Sequence, residues 1–325
     1  MSRALKILLT TTSFQDTPGA HHDLLARSGL EVVRERGPLS EAQLLETIRT
    51  HQGFDAFLNG DDRISGRVID AAVPRLRVIA KYGIGLDSID VAHATERRIP
   101  VLYTPGVNHT TVAEHTFGLM ISLVKDFYGH ASAVKNGRWD RRTGRELMGK
   151  TLGVLGLGRI GQEVVKRAAA FGMPCIAFSR RWPDAFAAEF GVVRAASVEE
   201  VLPLADVLSL HMNLNDDNRG IINARTLATM KKGAYLINTA RGALVVEEDV
   251  AEACRTGRLA GYATDVLDEE PMRPDHPFRN IDSILVTPHI GSRTFESVER
   301  QALRAVTNLV EYLTGGEDYI QANPF

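Results

Sequence analysis

The chain has 325 residues, 44% of them hydrophobic and 24% charged, and its 38 Lys and Arg nearly balance its 40 Asp and Glu, for a formal net charge of −2. A length well above about 150 residues favours two domains, each large enough to bury a core. The balanced charge argues against a nucleic-acid-binding protein, which is usually basic, and no apolar run reaches the roughly 18 residues that cross a bilayer. Two cysteines, Cys175 and Cys254, indicate neither a disulfide framework nor a metal site. We therefore predict a soluble, cytosolic globular protein that needs no metal, with an enzyme as the first hypothesis.

Short β-rich runs alternate with helical runs in the first part of the chain. Strands are predicted at residues 5–10, 31–33, 54–58, 76–80 and 100–102, and helical segments at 22–27 and 41–48. The first apolar run is short and ends in three threonines, so it fits a strand better than a signal peptide. A long, mostly apolar helix is predicted to begin near Thr110, and a polar connection with four arginines covers residues 135–149.

The alternation of strands and helices resumes after that connection. Further strands are predicted at residues 151–155, 174–178, 206–211, 234–239, 261–266 and 284–287, and one helix and a tail follow from about Thr294. Strands separated by helices indicate βαβ units, and such units build parallel sheets that are covered on both faces. The predicted fold class is therefore α/β, with two doubly wound parallel-sheet domains.

A glycine-rich turn opens the second half of the chain. It reads Gly156-Leu157-Gly158-Arg159-Ile160-Gly161, between a predicted strand and a helical run at residues 162–168. The first glycine allows a tight turn, the second lets backbone N–H groups approach a pyrophosphate, and the third lets the helix pack on the strand. The helix N-terminus would then face the phosphates. An ordinary βα turn is the alternative, but the strand–turn–helix context favours dinucleotide binding at Gly156, Gly158, Arg159, Ile160 and Gly161.

The end of the next predicted strand indicates which dinucleotide is bound. An NAD enzyme usually has Asp or Glu here, about 20 residues further on, to bind the ribose hydroxyls. This chain has Ser179-Arg180-Arg181 instead. Serine removes the charge that would repel a 2′-phosphate, and two guanidinium groups could bind one. Arg180 and Arg181 could also be solvated loop charges. We predict that NADP(H) is preferred and that NAD(H) is possible.

Four downstream segments carry a family resemblance. They are His211-Met212-Asn213-Leu214, Ile237-Asn238-Thr239-Ala240-Arg241-Gly242, Asp265-Val266-Leu267-Asp268-Glu269-Glu270-Pro271 and Thr287-Pro288-His289-Ile290-Gly291. With the glycine turn, their order and spacing resemble the D-isomer-specific 2-hydroxyacid dehydrogenases, a family that includes phosphoglycerate dehydrogenases and glyoxylate/hydroxypyruvate reductases. The resemblance runs from about Ala80 to Thr294. It implies an NAD(P)-dependent oxidoreductase acting on CH–OH donors, in which a Rossmann cofactor domain (residues 104–291) is inserted into a flavodoxin-like substrate domain (residues 1–103 and 292–325).

By this resemblance Arg241, Glu270 and His289 match the catalytic trio of the family. The residue types suit the chemistry, because histidine titrates near neutral pH and can serve as general acid in reduction and general base in oxidation. Glu270 could accept a hydrogen bond from the other ring nitrogen and fix the tautomer. Arg241 offers a fork of donors to a substrate carboxylate and carbonyl oxygen. Each residue alone could instead cap a turn or be a solvated charge, but all three together at these spacings favour catalysis.

The resemblance also implies the residues that contact substrate and cofactor. Ile84 and Gly85, in a glycine turn after a predicted strand, would offer backbone N–H groups to the substrate carboxylate, together with Arg241 and His289. A plain strand-to-helix turn is the alternative. The residues expected at the nicotinamide end are Val112, Thr239, Ala240, Arg241, Asp265, His289 and Gly291, and those along the adenosine half are His211, Met212 and Asn213. Asp265 suits a hydrogen bond to the carboxamide, Val112 and Ala240 could equally be core residues, and His115 is interpreted as a structural helix residue.

One segment departs from the phosphoglycerate dehydrogenases of the family. They carry an Arg-Ser pair near a strand end of the first domain, where this chain has Asn59-Gly60 followed by Asp61 and Asp62. Carboxylates repel a phosphate, although Arg63 could compensate. The leading hypothesis is therefore glyoxylate/hydroxypyruvate reduction. The alternatives are a dehydrogenase of 3-phosphoglycerate or another longer hydroxy acid, and a dinucleotide-sensing, corepressor-like binding protein. By analogy with the family we also expect a homodimer.

Overall fold

The computed structural model describes residues 3–325, and the chain divides into two compact units. The first unit contains the residues up to Asn108 and the segment Arg293–Phe325, and the second unit is the continuous segment His109–Ser292. The predicted boundaries, after residues 103 and 291, fall close to these. The assignment of substrate binding to one unit and cofactor binding to the other remains a prediction.

The first unit is built on a five-stranded parallel sheet in the order β2-β1-β3-β4-β5. Its strands are β1 (Lys6–Leu9), β2 (Glu31–Arg34), β3 (Ala56–Asn59), β4 (Val78–Lys81) and β5 (Val101–Leu102). The inner strands β3 and β4 are buried on both faces, so each has three consecutive apolar residues, followed by one polar residue, rather than an alternating pattern. The strand order is that of a flavodoxin-like sheet, as predicted.

Five helices connect these strands. They are α1 (Thr12–Asp16), α2 (Ala20–Arg27), α3 (Glu41–Thr50), α4 (Gly66–Ala72) and α5 (Val91–Glu96). The start of α3 shows how the sequence sets a boundary: the Ser40 side chain accepts from the Gln43 N–H, and the Gln43 side chain accepts from the Ser40 N–H. This capping box satisfies donors that the first helical turn cannot pair.

The second unit begins with the helices α6 (His109–Val124) and α7 (Phe127–Lys135). The sequence predicted one long helix here, and the structure divides it at Asp126. That residue has a φ of 50°, and its side chain accepts a hydrogen bond from the Gly129 N–H at 3.2 Å. Residues 136–146 then form an exposed segment without regular secondary structure, in agreement with the predicted polar connection.

A seven-stranded parallel sheet in the order β12-β11-β10-β9-β6-β7-β8 forms the core of the second unit. Its strands are β6 (Leu152–Leu155), β7 (Cys175–Phe178), β8 (Val193–Arg194), β9 (Val207–Leu210), β10 (Ala234–Asn238), β11 (Leu259–Thr264) and β12 (Ile284–Val286). The connecting helices are α8 (Arg159–Ala170), α9 (Asp184–Glu189), α10 (Val198–Val201), α11 (Ala224–Thr229) and α12 (Glu247–Arg255), with a 3-10 turn at Gly242–Leu244. The order extends the Rossmann arrangement and reverses between β6 and β9, the position at which such sheets bind ligands.

The chain returns to the first unit with α13 (Phe295–Thr314). The Thr294 side chain caps its start, and Gly315, with a φ of 81°, ends it in the left-handed conformation that glycine adopts readily. Ala302, Val306 and Leu309 are fully buried against β-strand residues of the first sheet. Within residues 3–325, no helix is long and apolar enough to cross a membrane.

Candidate active site

The glycine turn after β6 has the tight geometry that its sequence predicts. Gly156 has a φ of 102°, and a Cβ there would lie 2.5 Å from the carbonyl oxygen of His211, after the neighbouring strand β9. A Cβ on Gly161 would collide with the carbonyl oxygen of Gly156. Both positions therefore require glycine, because the turn folds onto the β9 end and α8 packs onto the turn.

Gly158 differs from the other two glycines, since a Cβ there would have no atom from another part of residues 3–325 within 4 Å. It is the N-cap of the 12-residue helix α8, and no side chain caps that helix. The N–H groups of the first helical turn therefore face open space with the positive end of the helix dipole. Open space together with unpaired donors fits the pyrophosphate of a dinucleotide.

A pair of alanine variants tests this interpretation. Gly158→Ala should leave the melting temperature unchanged, because a φ of −78° suits alanine, but should weaken NAD(P)H binding by about tenfold or more, since the methyl group would fill the space for phosphate. Gly161→Ala should lower the melting temperature, because its methyl group meets protein backbone. Thermal unfolding and fluorescence titration with NADPH distinguish the two effects. Equal NADPH affinity in Gly158→Ala and wild type would remove the pyrophosphate from this position.

Three arginines lie near the ends of the adjacent strands β7 and β8. Ser179 follows β7, and its hydroxyl donates to the Arg181 carbonyl oxygen at 2.8 Å. Arg180 and Arg181 are exposed. Arg194, the last residue of β8, lies 5.2 Å from the ring centre of Trp182 in a cation–π contact. The sequence analysis missed Arg194, because a two-residue exposed strand gives no periodic signal.

The segment after β9 lies beside the glycine turn. The His211 N–H donates to the Leu155 carbonyl oxygen at 2.7 Å, and Asn218 holds the Asn213 carbonyl oxygen at 2.8 Å. Met212 packs against the apolar core of the second unit. His211 Nε2 lies 2.8 Å from the Ser209 hydroxyl, while its Nδ1 is buried without a partner. This burial lowers the pKa of His211 to about 3.

The pKa of His211 makes stability depend on pH. Between pH 6.5, the ordinary value for histidine, and about 3 the unfolded chain binds a proton that the folded protein does not. The free energy of unfolding should therefore fall as the pH falls through this range, by up to about 1.4 kcal/mol per pH unit. Urea unfolding between pH 4.5 and 7 should show a smaller slope for His211→Gln. His21, whose pKa burial also lowers, adds to the slope in both proteins, and equal slopes would contradict the prediction.

The residues predicted to be catalytic follow three adjacent parallel strands. Arg241 follows β10, Glu270 follows β11 and His289 follows β12. These three strands are neighbours in the sheet, so all three residues lie beyond the same edge, at the carboxyl ends of the strands. His289 Nδ1 lies 2.8 Å from Glu270 Oε2, and Glu270 Oε1 accepts from the Leu267 N–H at 3.0 Å. The side chains of His289 and Glu270 are 43% and 37% exposed. An ionised Glu270 can only accept, so Nδ1 of His289 carries the proton of this hydrogen bond.

The backbone of His289 adopts an unusual conformation. Its φ is 53°, in the left-handed region that only a few per cent of residues other than glycine adopt. Its N–H donates to the Asp265 carbonyl oxygen at 2.9 Å and to the Thr287 carbonyl oxygen at 3.0 Å. Strained backbone of this kind persists only where the surrounding structure enforces it.

The loop of Arg241 is anchored by the end of its own strand. The Asn238 side chain donates to the Arg241 carbonyl oxygen at 2.8 Å and accepts from the Ala240 N–H at 3.0 Å. Arg241 Nη1 donates to the Ala240 carbonyl oxygen at 2.7 Å. A Cβ on Gly242 would collide with the backbone of Leu267. The loops after β10 and β11 are therefore in direct contact, which brings the segments of Arg241 and Glu270 together.

The carboxylate of Asp265 accepts several hydrogen bonds from other groups of the protein. It is 3% exposed, and its carboxylate accepts from the Thr287 hydroxyl at 2.6 Å, the Ile290 N–H at 2.9 Å and the Gly291 N–H at 2.7 Å. Burial acts to raise its pKa, but hydrogen bonds from His115, Thr287 and the Ile290 backbone hold the pKa of Asp265 below its ordinary value. Oδ2 has one hydrogen bond, so it retains acceptor capacity for the predicted carboxamide contact.

The remaining residues predicted at the nicotinamide end lie at the start of α6 and in the loop after β10. Val112 is 7% exposed, and its carbonyl oxygen accepts from the Thr116 hydroxyl at 2.8 Å. That hydroxyl also lies 2.8 Å from the Thr239 hydroxyl. The Thr239 side chain is therefore already paired, which leaves its backbone for a ligand.

In the first unit, the turn predicted to bind the substrate carboxylate follows β4. Gly83 has a φ of 135°, and Thr104 pairs with both its N–H and its carbonyl oxygen. Within residues 3–325, no protein acceptor pairs with the N–H of Ile84 or Gly85. Successive unpaired N–H groups form an anion-binding turn.

A buried cation that the sequence analysis missed adjoins this turn. Lys81 is 3% exposed, donates to the Gly60 carbonyl oxygen and forms an ion pair with Asp61 at 2.8 Å. Asp62 is fully buried and accepts from Thr10, Leu39 and Gly60. Only one of the two aspartates is thus exposed. A lysine that ends an otherwise apolar strand was the signal that could have revealed this cation.

Comparison with known proteins identifies the relatives of this chain. The family model described as the NAD binding domain of D-isomer specific 2-hydroxyacid dehydrogenase matches residues 117–291. A glyoxylate reductase from Thermofilum pendens is 38% identical over 86% of this chain and 83% of that protein. A D-3-phosphoglycerate dehydrogenase from Methanocaldococcus jannaschii is 37% identical over 91% of this chain but only 57% of that protein. A solved structure of a protein from Thermus thermophilus superimposes with a TM-score of 0.87 at 38% identity, over 98% of this chain and 100% of that one.

The family match covers more than half of the chain, and the relatives align along nearly all of it. The glycine turn, the strand order and the motifs after β10, β11 and β12 agree with that match. The chain belongs to the D-isomer specific 2-hydroxyacid dehydrogenase family of NAD-binding oxidoreductases.

Proposed function

We propose that this protein is an NADP(H)-preferring reductase of small 2-oxo acids, with glyoxylate and hydroxypyruvate as the first substrates to test. The observation that carries the proposal is the 2.8 Å hydrogen bond between His289 and Glu270, beyond the sheet that also presents the glycine turn. Relatives named glyoxylate reductase and hydroxypyruvate reductase support this substrate class.

His289 is the proposed proton donor. A bound reduced nicotinamide would supply the hydride that C2 of the 2-oxo acid receives. As C2 accepts the electron pair of that hydride, negative charge develops on the carbonyl oxygen, and a proton from Nε2 of His289 completes the hydroxyl group. Glu270 holds Nδ1 and stabilises the orientation of the ring. Reversal of these steps makes His289 the base for oxidation of the hydroxy acid.

The substrate carboxylate needs positive charge and backbone donors. Arg241 supplies a planar fork that matches a carboxylate or carbonyl oxygen. Ile84 and Gly85 supply N–H groups that no protein acceptor in residues 3–325 occupies. Lys81 lies next to this turn, where it forms an ion pair with Asp61. A short 2-oxo acid presents a carboxylate and an adjacent carbonyl, the groups that donors of these types bind.

The proposed cofactor contacts follow the same sheet. The open helix N-terminus at Gly158–Gly161 suits the pyrophosphate, and the segment His211–Asn213 adjoins it. The backbones of Thr239, Ala240 and Gly291, the side chain of Val112 and the remaining acceptor capacity of Asp265 are proposed for the nicotinamide end. The half-buried Ser179 and the exposed Arg180 and Arg181 are proposed for a 2′-phosphate, with Arg194 as an additional cation.

Steady-state kinetics with glyoxylate and hydroxypyruvate test the function and the cofactor together. We expect kcat/KM to be higher with NADPH than with NADH. Because each hydrogen bond to a charged group is worth about 1.5–3 kcal/mol, Arg180→Ala/Arg181→Ala should reduce the NADPH preference by about tenfold or more. Ser179→Asp should reverse it, since the carboxylate repels a 2′-phosphate. Higher kcat/KM with NADH in the wild type would reject the cofactor proposal and keep the reaction.

A 3-phosphoglycerate dehydrogenase is the second candidate, because relatives with that name are 34–37% identical to this chain. The chain spans only 54–57% of their length. The absence of the Arg-Ser pair after β3, where this chain has Asn59-Gly60, disfavours a substrate phosphate at that position. Turnover of 3-phosphohydroxypyruvate faster than that of hydroxypyruvate would favour this candidate.

We further propose a homodimeric, cytoplasmic enzyme. Three large aromatic side chains on α7 and the segment after it are strongly exposed: Phe127 by 54%, Tyr128 by 71% and Trp139 by 80%. Such a patch on a soluble protein suits an interface with a second copy. Sedimentation equilibrium that reported a monomer at micromolar concentration would contradict the dimer.

A further inference from the structure

Helix α6 places a half-buried histidine, His115, against the turn that carries His289. The His115 side chain is 20% exposed, and Nε2 lies 3.0 Å from the Thr287 hydroxyl and 3.3 Å from Asp265 Oδ1. The proposed chemistry leaves His115 without a role. One of these partners, Thr287, lies two residues before His289 in the sequence. The other, the Asp265 carboxylate, accepts hydrogen bonds from the backbone of the His289 turn.

The direction of these hydrogen bonds follows from the donors available. The Thr287 hydroxyl has one proton, and it lies 2.6 Å from Asp265 Oδ1, which can only accept when ionised. Toward His115 the Thr287 oxygen therefore accepts, so Nε2 of His115 carries a proton. His115 therefore donates to the Thr287 hydroxyl, and the Thr287 hydroxyl donates to the Asp265 carboxylate, which is the final acceptor.

Asp265 in turn determines the backbone of residues 287–291. Its side chain accepts from the Ile290 and Gly291 N–H groups, and its carbonyl oxygen accepts from the His289 N–H. These bonds surround the one residue of this turn with a positive φ, His289. The left-handed conformation of His289 is thus enforced by groups that are themselves held by His115.

The packing leaves this network little freedom to rearrange. A Cβ on Gly291 would lie 2.9 Å from Asp265 Oδ2 and 3.5 Å from Cδ2 of His115. His115 Nε2 also lies 3.3 Å from Asp265 Oδ1. Loss of His115 would remove a hydrogen-bond donor from groups that are largely shielded from water. The Thr287 hydroxyl and the Asp265 carboxylate would therefore shift, and the His289 turn with them.

We propose that His115 is a positioning residue for the reaction: through Thr287 and Asp265 it fixes the 287–291 turn, and so holds the imidazole of His289 in its productive position against Glu270. This inference rests on the proposed role of His289 as proton donor. His115 itself touches neither substrate nor cofactor in this proposal. The neighbouring residue, Thr116, meets Thr239 at 2.8 Å, so the same helical turn also contacts the loop before Arg241.

Substitution of His115 by Leu and by Gln tests the proposal. Leu removes the donor, whereas the Gln side-chain amide can place a donor near the position of Nε2. A displacement of about 1 Å in a catalytic group can cost on the order of 10²-fold in rate. We expect His115→Leu to lower kcat by about 10- to 100-fold with the KM for the 2-oxo acid within about threefold, and His115→Gln to recover most of kcat. A His115→Leu variant with wild-type kcat, or a His115→Gln variant as slow as Leu, would overturn the proposal.

A double variant separates positioning from an independent effect. If His115 acts through His289, His115→Leu should cost little further activity in a His289→Asn background, because coupled residues are not additive. A loss in the double variant equal to the product of the two single losses would overturn the proposal. If His115→Leu does not fold, His115→Asn, which is polar but too short to reach Thr287, replaces it in the same comparison. A His289→Asn variant with wild-type activity would instead reject the proposed function of His289, which identifies that failure separately.

Discussion

His289→Asn is expected to lower kcat/KM for 2-oxo acid reduction by about 10²- to 10⁴-fold, the usual contribution of a general acid. Asparagine is chosen because the φ of His289 is 53°, and asparagine tolerates the left-handed region better than alanine does. The substitution therefore removes the proton donor and retains the turn. Stopped-flow and steady-state kinetics with NADPH would measure the loss, and the affinity for NADPH should change by less than about threefold.

A matched control for this experiment lies in the first unit. His93 Nε2 forms a hydrogen bond of nearly the same length, 2.9 Å, with Asp70, and neither residue is proposed to contact substrate or cofactor. His93→Asn should leave kcat/KM unchanged, because this pair does no proposed chemistry. A loss below about tenfold for His289→Asn would remove His289 from the role of general acid.

Arg241→Met is expected to lower kcat/KM by about 10²- to 10³-fold, mainly through a higher KM for the 2-oxo acid. Loss of one partner of a desolvated charge pair costs about 2–5 kcal/mol, and methionine retains the apolar stem of arginine. Arg241→Lys should recover only part of the loss, since an ammonium group cannot reproduce the two parallel hydrogen bonds of a guanidinium. Initial rates over a range of glyoxylate concentrations separate KM from kcat.

Arg279 provides the control for Arg241. Its side chain also donates to backbone carbonyl oxygens, those of Arg273 at 2.7 Å and Met272 at 3.2 Å, and it is exposed. Arg279→Met should leave KM unchanged. An unchanged KM in Arg241→Met as well would mean that the substrate carboxylate is bound by other groups, with Lys81 and the turn at Ile84 as the first to examine.

Most of the fold was predictable because its signals are local. Buried parallel strands are mostly apolar runs, so strands such as β4 and β9 are recognisable without their neighbours. Two local features were not predictable from the sequence. Strand β8 has two exposed residues and no periodicity, and it forms because its backbone pairs with that of β7. The break between α6 and α7 depends on a positive φ at Asp126, which no residue pattern specifies.

Some features of the candidate site were likewise predictable from the sequence, and others were not. Residue types and spacing suggested Arg241, Glu270 and His289, and β-strand order explains why they lie beyond the same edge. The sequence could not show that Asp265 binds the backbone of residues 290 and 291, or that His115 reaches Thr287 across 172 positions. Such bonds join segments that are distant in sequence and depend on the packing of α6. They were therefore visible only once the second sheet was assembled.

The interrupted first unit has a consequence for the order in which the protein is made. Its core includes Ala302, Val306 and Leu309 of α13, which pack with strand residues such as Leu58 and Val78. On the ribosome, the first five strands emerge before the whole of His109–Ser292, and α13 emerges after it. At roughly 5–20 residues per second, the apolar face that α13 covers stays open for on the order of 10–40 s. The second unit is complete during that delay, so it is the part of the nascent chain that can fold first, and the N-terminal sheet matures only when the last helix arrives.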